Sequence, residues 1–299
     1  MTASLLVASS VDEALAELAR GARAVAGGTD LVVGARQGKA PLPERLVAIH
    51  RLDELRALEE QDGTLHLGAL VTHARLAADP TVRERLTALA DAAAIVGSHA
   101  TRAHGTIGGN LMNASPAMET GGPLLCYEAT VTLRSTSGTR SVHVADLYAG
   151  PGRTTAKPQE LLETVEVPLP RPGTGSCYLR LEYRRAMEIA VVGATAVVQL
   201  DEGLIADARV AITALAPTVR RVPEAEAALL GTDGRSAAAA ASAAAAAAAE
   251  PISDVRGSAD YRRAMAAVIT RRAIEAALAR ARGERVPIPA SPALHGGPA

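Results

Sequence analysis

Phenylalanine and tryptophan are absent from this chain, and five tyrosines are its whole aromatic content. A core without large rings has to be closed by small and medium aliphatic side chains in fine packing. The lack of aromatic platforms, together with a net charge of −1, excludes a base-stacking or electrostatically driven nucleic-acid binder. Only two cysteines occur, Cys126 and Cys177, far apart and in no CxxC pattern. Neither a disulfide framework nor an iron–sulfur ligand set is therefore encoded. No basic segment precedes the short apolar run from Leu5 to Ala8, and the most apolar tract, Ala237 to Ala249 with Ser242 inside it, falls short of a membrane span. These absences predict a soluble, reduced, cytoplasmic protein. His99 and His104 read as lying five apart in a loop with no third ligand near them in sequence, which disfavours a metal site.

What is present is enough chain, 299 residues, for two or three subdomains. Ser10 to Glu13 has the form of a capping box ahead of a helical stripe that Gly21 ends. Short strands at Arg23 to Ala26 and Leu46 to Ile49 flank a helix from about Leu31 to Gln37, a small α/β unit. A strand from Leu65, a short helix capped by Thr72, and a longer helix from Thr81 to Ala94 begin a second unit. Strands follow at Ala129–Leu133, Ser141–Val144 and Leu162–Val167, and the Pro168, Pro170, Pro172, Gly173 and Gly175 run marks a boundary. Beyond it, three strand-like runs predict an antiparallel sheet. Helices close the chain, the alanine tract among them because alanine is the best helix former. The pairs Arg262-Arg263 and Arg271-Arg272 read as solvated helix faces, and the tail from Pro287 as frayed.

Two glycine pairs carry the chemistry. Ala26-Gly27-Gly28-Thr29-Asp30-Leu31 lies between an apolar strand and an apolar helix, at the strand end where ligands of open α/β units bind. Gly105-Thr106-Ile107-Gly108-Gly109-Asn110 comes much later. Paired glycines permit positive φ and bring amide N–H groups close to an anion. Thr29 and Thr106 add hydroxyls and Asn110 an amide, so two opposed loops can hold a pyrophosphate. Neither loop fits the GxGxxG or Walker pattern. From spacing alone, two tight turns without a ligand explain the glycines equally well.

The chain resembles, from end to end, the FAD-binding medium subunit of the molybdenum hydroxylases, the family of xanthine dehydrogenase and carbon monoxide dehydrogenase. The first glycine loop looks like that family's first flavin motif. Thr106 to Asn110, continuing through Asn113-Ala114-Ser115-Pro116, looks like its second. Arg184 to Gly193 and Pro251 to Ser258 match as well. The resemblance implies an α+β protein: a two-lobed FAD-binding domain of the vanillyl-alcohol oxidase type over residues 1–172, lobes about 1–55 and 56–172. A C-terminal domain, 176–285, carries a three-stranded antiparallel sheet and helices, and 286–299 is a tail. FAD is expected between the lobes, with Ala26, Gly27, Gly28, Thr29, Asp30, Leu31, Thr106, Gly108, Gly109, Asn110 and Asn113 around its pyrophosphate and ribityl chain. Some relatives of the fold attach flavin through a histidine in the first loop; Thr29 stands there, so the FAD is expected to be noncovalent.

Arg180 falls where the family often has a lysine near the flavin pyrimidine edge, although a surface arginine on a strand is an equal reading. Glu119 stands where the family commonly has an aspartate that helps hold the ribose or ribityl chain, and Ala100 and Ala103 replace a usual Gln and Asn. The implied partners are an iron–sulfur subunit with [2Fe-2S] clusters and a large subunit with the molybdenum cofactor. Electrons would pass through FAD to NAD⁺, oxygen or another acceptor. Two other readings stay open: a free-standing flavin-dependent oxidoreductase, and a structural subunit that has lost flavin.

Overall fold

The computed structural model describes residues 4–38, 40–184 and 186–291, in two compact units. The first unit comprises residues 1–75, 99–114 and 129–168. Its smaller sheet is parallel, with Arg45–Ala48 between the edge strands Ser4–Val7 and Arg23–Val25. Helix Val11–Ala19 covers it, contributing Val11, Leu15 and Leu18 to a core with Val47, Leu52 and Leu55. Ser10 caps this helix as expected, accepting from the Glu13 amide at 3.1 Å. The return arm differs: Glu13 accepts from the Ser9 amide at 2.7 Å rather than from that of Ser10. The larger sheet is antiparallel, in the order Leu58–Gln61, Thr64–Gly68, Leu161–Pro168, Thr130–Ser135, Gly138–His143. Alternation along it buries Leu65 and Leu67, Val131 and Leu133, and Val165 and Val167. Arg134 joins the two layers, donating to Asp12 at 2.8 Å and to Glu163 at 3.0 Å.

The second unit comprises residues 76–98, 115–128 and 169–299. Its antiparallel sheet runs Thr174–Leu181, Val192–Asp201, Leu204–Thr213, and a two-residue strand, Arg220–Arg221, joins the three long ones at the edge. Helix Ala259–Ala281 lies on one face with the alanine helix Ala237–Ala247 beside it. This is the aliphatic core that the missing rings required, and it is closed by backbone approach. A Cβ at Gly175 would lie 2.1 Å from the carbonyl oxygen of Ala277. Helices Thr87–Ile95 and Gly121–Cys126 pack on the sheet as well.

Four expectations are corrected. The helix read from Thr81 to Ala94 is two, Pro80–Arg85 and Thr87–Ile95, broken at Leu86, whose φ of −119° and ψ of 48° leave the helical region. His99 and His104 lie not in a loop but at the two ends of helix His99–His104. Arg262 is not solvated: it is 2% exposed, paired with Asp254, and donates to the carbonyl of Val191 at 3.2 Å. The segment after Pro287 is pinned. Asp91, fully buried, takes two bonds from Arg280 at 2.6 and 3.0 Å and one from the Ala290 amide at 2.9 Å, while Arg280 also donates to the Pro287 carbonyl. The rest of the predicted tail, 292–299, lies outside the described residues.

Candidate functional site

The two glycine loops meet within the first unit. Strand Arg23–Val25 delivers the chain into Ala26 and Gly27, and Gly28 turns it at a φ of +68°, a conformation that favours glycine. Gly27 is glycine for a separate reason. A Cβ there would lie 1.9 Å from the carbonyl oxygen of His104, so the first loop touches the second backbone to backbone. Beside the contact, a Cβ placed on Gly105 would find the Thr29 hydroxyl at 3.5 Å and His73 Cδ2 at 3.3 Å.

The loops differ in what they have left to offer. In the second, Ile107 donates to Val71 at 2.9 Å, Gly108 to Ala69 at 3.0 Å, and Asn110 to Thr106 at 2.9 Å. The Gly109 amide goes to the Thr106 hydroxyl at 3.1 Å, so Thr106 is the cap of helix Ile107–Asn113. Gly108 allows that helix to press on Ala69, whose Cβ would be 2.7 Å from one on Gly108. In the first loop, by contrast, the amides of Gly27, Gly28 and Thr29 donate to no acceptor among the described residues. Gly27 is exposed and Gly28 and Thr29 are half-buried, so the row of donors faces solvent at least in part. Asp30 precedes helix Leu31–Arg36 without capping it, and the half-buried Asn113 side chain makes no hydrogen bond among the described residues.

Sequence reasoning missed His73. Its amide donates to the Gly105 carbonyl at 3.0 Å, its ring is 2% exposed, and Nδ1 has no partner among the described residues. Burial, reinforced by the Arg102 charge, lowers its pKa to about 4, so it is a neutral prop under the second loop. The only signal was its place after the capping Thr72, and that says nothing about what packs on the ring.

Glu119 and Arg180 belong to the second unit, where they find each other. Arg180 is 2% exposed, so the surface-arginine reading falls. Its Nη1 donates to Glu119 at 2.5 Å and to the Glu188 carbonyl at 3.2 Å, and its Nε donates to Glu182 at 2.5 Å. Burial pushes the Glu119 carboxyl up to about 7 against the opposing pull of Arg180. Cys126 and Cys177 are buried free thiols raised by desolvation, which leaves them inert.

Residues 1–170 match the family described as FAD binding domain in molybdopterin dehydrogenase, and residues 178–277 match the CO dehydrogenase flavoprotein C-terminal domain. The carbon monoxide dehydrogenase medium chain of Hydrogenophaga pseudoflava is 34% identical over 91% of this chain and 95% of its own length. The chain belongs to the FAD-binding medium subunits of the molybdenum hydroxylases. A second relative, the 6-hydroxypseudooxynicotine dehydrogenase complex subunit alpha of Paenarthrobacter nicotinovorans, is 35% identical over 93% of this chain and 95% of that one. Among solved structures, carbon monoxide dehydrogenase from Hydrogenophaga pseudoflava superposes with a TM-score of 0.90, covering 94% of this chain and 98% of the other at 34% identity. Quinoline 2-oxidoreductase from Pseudomonas putida 86 superposes at 0.88, covering 94% and 98% at 32% identity. The mixed helix-and-sheet fold is that of the medium subunits, and the activity class is oxidoreductase. The cofactor of the family is FAD, with molybdenum and iron–sulfur centres in partner subunits. No helix among the described residues is long and apolar enough to cross a membrane.

The first loop fits such a cofactor on its own chemistry. Three successive N–H groups without acceptors among the described residues, beside a threonine hydroxyl and with no Cβ at Gly27 or Gly28, are the donor set that suits a phosphate. The second loop, its amides spent, buttresses the first.

Proposed function

We propose that this chain binds FAD noncovalently with the pyrophosphate on the first glycine loop, and that it relays electrons inside a molybdenum-dependent dehydrogenase. The observation that carries the reading is the open row of amides at Gly27, Gly28 and Thr29, held in place by the backbone contact with His104. Each N–H offered to a phosphate oxygen is a charge-assisted hydrogen bond worth about 1.5–3 kcal/mol. Ala26, Asp30 and Leu31 set the entry and exit of this loop; Thr29 adds a hydroxyl donor. Gly108 and Gly109 let helix Ile107–Asn113 sit close, and Asn110 and Asn113 on that helix carry side-chain amides that suit ligand hydroxyls. Thr29 has no nucleophilic ring nitrogen, and the buried neutral His73 is the histidine ring against Gly105, so the loop supplies no covalent attachment point.

FAD, when bound, supplies the ability to take electrons singly and release them in pairs. The residues here do the rest: bind, orient and neutralise. In such an assembly [2Fe-2S] clusters of an iron–sulfur partner, fed by a molybdopterin-containing large subunit, would supply the electrons, and NAD⁺ or oxygen would receive them. The substrate is chosen in another chain.

Purifying the full chain with its native neighbours tests this. A yellow preparation is expected, with about one FAD per chain released by acid precipitation, as a noncovalent cofactor must be. Gly27→Val should lose the colour while remaining co-purified with its partners. A colourless wild type that takes up no added FAD would remove the reading, and FAD that stays with the precipitated protein would remove its noncovalent part. A flavoprotein purified without any molybdenum or iron–sulfur partner would favour a free-standing oxidoreductase.

A further inference from the structure

In the second unit, residues 182–184 and 186–189 carry exposed apolar side chains among charged ones and are nevertheless held in place. Tyr183, Met187 and Ile189 are 63%, 56% and 45% exposed. Met187 is in the left-handed region, with a φ of +54°, which a branched chain of contacts has to maintain. Its amide donates to the Gly97 carbonyl at 3.0 Å and its carbonyl accepts from Arg184 at 2.5 Å. The Tyr183 hydroxyl donates to the Arg256 carbonyl at 2.6 Å.

Both ends of the segment are tied to one group. Arg180 donates through Nε to the Glu182 carboxylate at 2.5 Å and through Nη1 to the Glu188 carbonyl at 3.2 Å. The same Nη1 donates to Glu119 at 2.5 Å, while Nη2 is enclosed without a partner among the described residues. A planar guanidinium fixed by three acceptors has one orientation, and only that orientation serves both ends.

We propose that Arg180 is the latch of a strap formed by residues 182–184 and 186–189, set by the carboxylate of Glu119, and that removing the charge of Glu119 loosens the strap. Glu119 is the deeply buried anion that holds the guanidinium inside; without it, an uncompensated cation is drawn toward Glu182 and solvent. The titratable and charged groups around Glu119 are Tyr178 and Arg180 on strand Thr174–Leu181 and Glu182 on the strap, while the Glu188 carboxylate pairs with Arg184. One guanidinium thus faces two carboxylates, of which Glu119 is the more deeply buried. Its carboxyl, raised by burial to about 7, changes charge within ordinary pH.

Trypsin reports on the strap, because Arg184 lies within it, and the exposed Arg36 in the first unit serves as the internal reference. In the full chain, Arg180→Lys should raise cleavage after Arg184 about tenfold relative to Arg36, since local opening governs proteolysis. Lysine keeps the charge and cannot bridge both ends. Wild-type cleavage after Arg184 should increase between pH 8 and pH 6.5, and Glu119→Gln should raise the ratio by a smaller factor and abolish that increase. Hydrogen exchange should rise in residues 182–184 and 186–189 and stay unchanged in strands Val192–Asp201 and Leu204–Thr213. Wild-type cleavage ratios in both variants would overturn the proposal. So would faster exchange spread evenly through those strands, which is unfolding of the whole unit and not release of a strap.

Discussion

The first unit assembles its site from backbone: Gly27 against the His104 carbonyl, Gly108 against Ala69, His73 N–H on the Gly105 carbonyl, with a neutral ring beneath. The second unit places ions at its centre: Asp91 with Arg280, Glu119 and Glu182 with Arg180, Asp254 with Arg262. Both solve the same shortage of large side chains. Backbone contacts permit no adjustment, so the first unit loses its geometry with a single added carbon, and they leave open amides for a ligand. Buried ions tolerate changes of shape and respond instead to changes of charge, because desolvation makes each of them depend on its partner.

The largest effect separating the two regions should come from breaking a buried pair. Asp91→Ala leaves Arg280 without a countercharge and strands the amides of Tyr178 and Ala290. Unfolding in urea should show a loss of about 3–5 kcal/mol, concentrated in the second unit. Replacing both partners, with Asp91→Leu and Arg280→Met together, should recover most of it. If the double replacement is as unstable as the single one, the pair holds its surroundings through its hydrogen bonds and not as a compensated charge.

Acid should then act on the two regions in opposite directions. His73 has its folded pKa depressed from 6.5 to about 4, so the unfolded chain takes the proton first. Its contribution is present above pH 6.5 and lost as pH falls toward 4, by about 3 kcal/mol as an order of magnitude. Glu119 is raised from 4.5 to about 7, so here the folded chain binds the proton more tightly. Its contribution is present below pH 4.5 and lost as pH rises toward 7. Hydrogen exchange of each unit across this window should show the first weakening on acidification. His73→Asn should flatten that slope, and Glu119→Gln should flatten the opposing slope of the second unit, read in strands Val192–Asp201 and Leu204–Thr213, whose exchange reports unfolding of the whole unit and not local opening of the strap. Slopes of equal sign that neither variant alters would mean that neither group governs its region.

Local signals in the chain were readable because they act over a few residues. The Ser10 cap, the alanine helix and the two glycine loops all follow from neighbours in sequence. The resemblance to the medium subunits gave the family and cofactor at once. What stayed hidden was set by distance along the chain. Arg180 meets Glu119 across 61 residues and Arg280 meets Asp91 across 189, and no periodicity predicts such pairs. Arg262 looked like a solvated face because Arg263 follows it, whereas it shares the inward face of helix Ala259–Ala281 with the buried Ala266 and Ile269. The asymmetry of the two loops was equally invisible. Both have glycine pairs, and only the fold shows that one has used its amides on Val71, Ala69 and Thr106.

The smallest test concerns two caps of the same kind. Thr106 accepts from Gly109 at 3.1 Å at the head of the seven-residue helix Ile107–Asn113, and Ser258 accepts from Tyr261 at 3.2 Å at the head of the 23-residue helix Ala259–Ala281. Substituting either by alanine should cost about 1 kcal/mol at equilibrium. Their local consequences should differ. A long helix loses only its first turn, because the remaining turns propagate on their own and pack against the sheet. A two-turn helix has no such reserve, and its first turn carries Gly108 and Gly109. In Thr106→Ala, exchange should therefore rise from Gly108 through Leu111, with Thr106→Ser restoring protection. In Ser258→Ala it should rise at the first turn alone. Equal, confined fraying in both would show that the contact of Gly108 with Ala69, and not the cap, holds the second loop beneath the first.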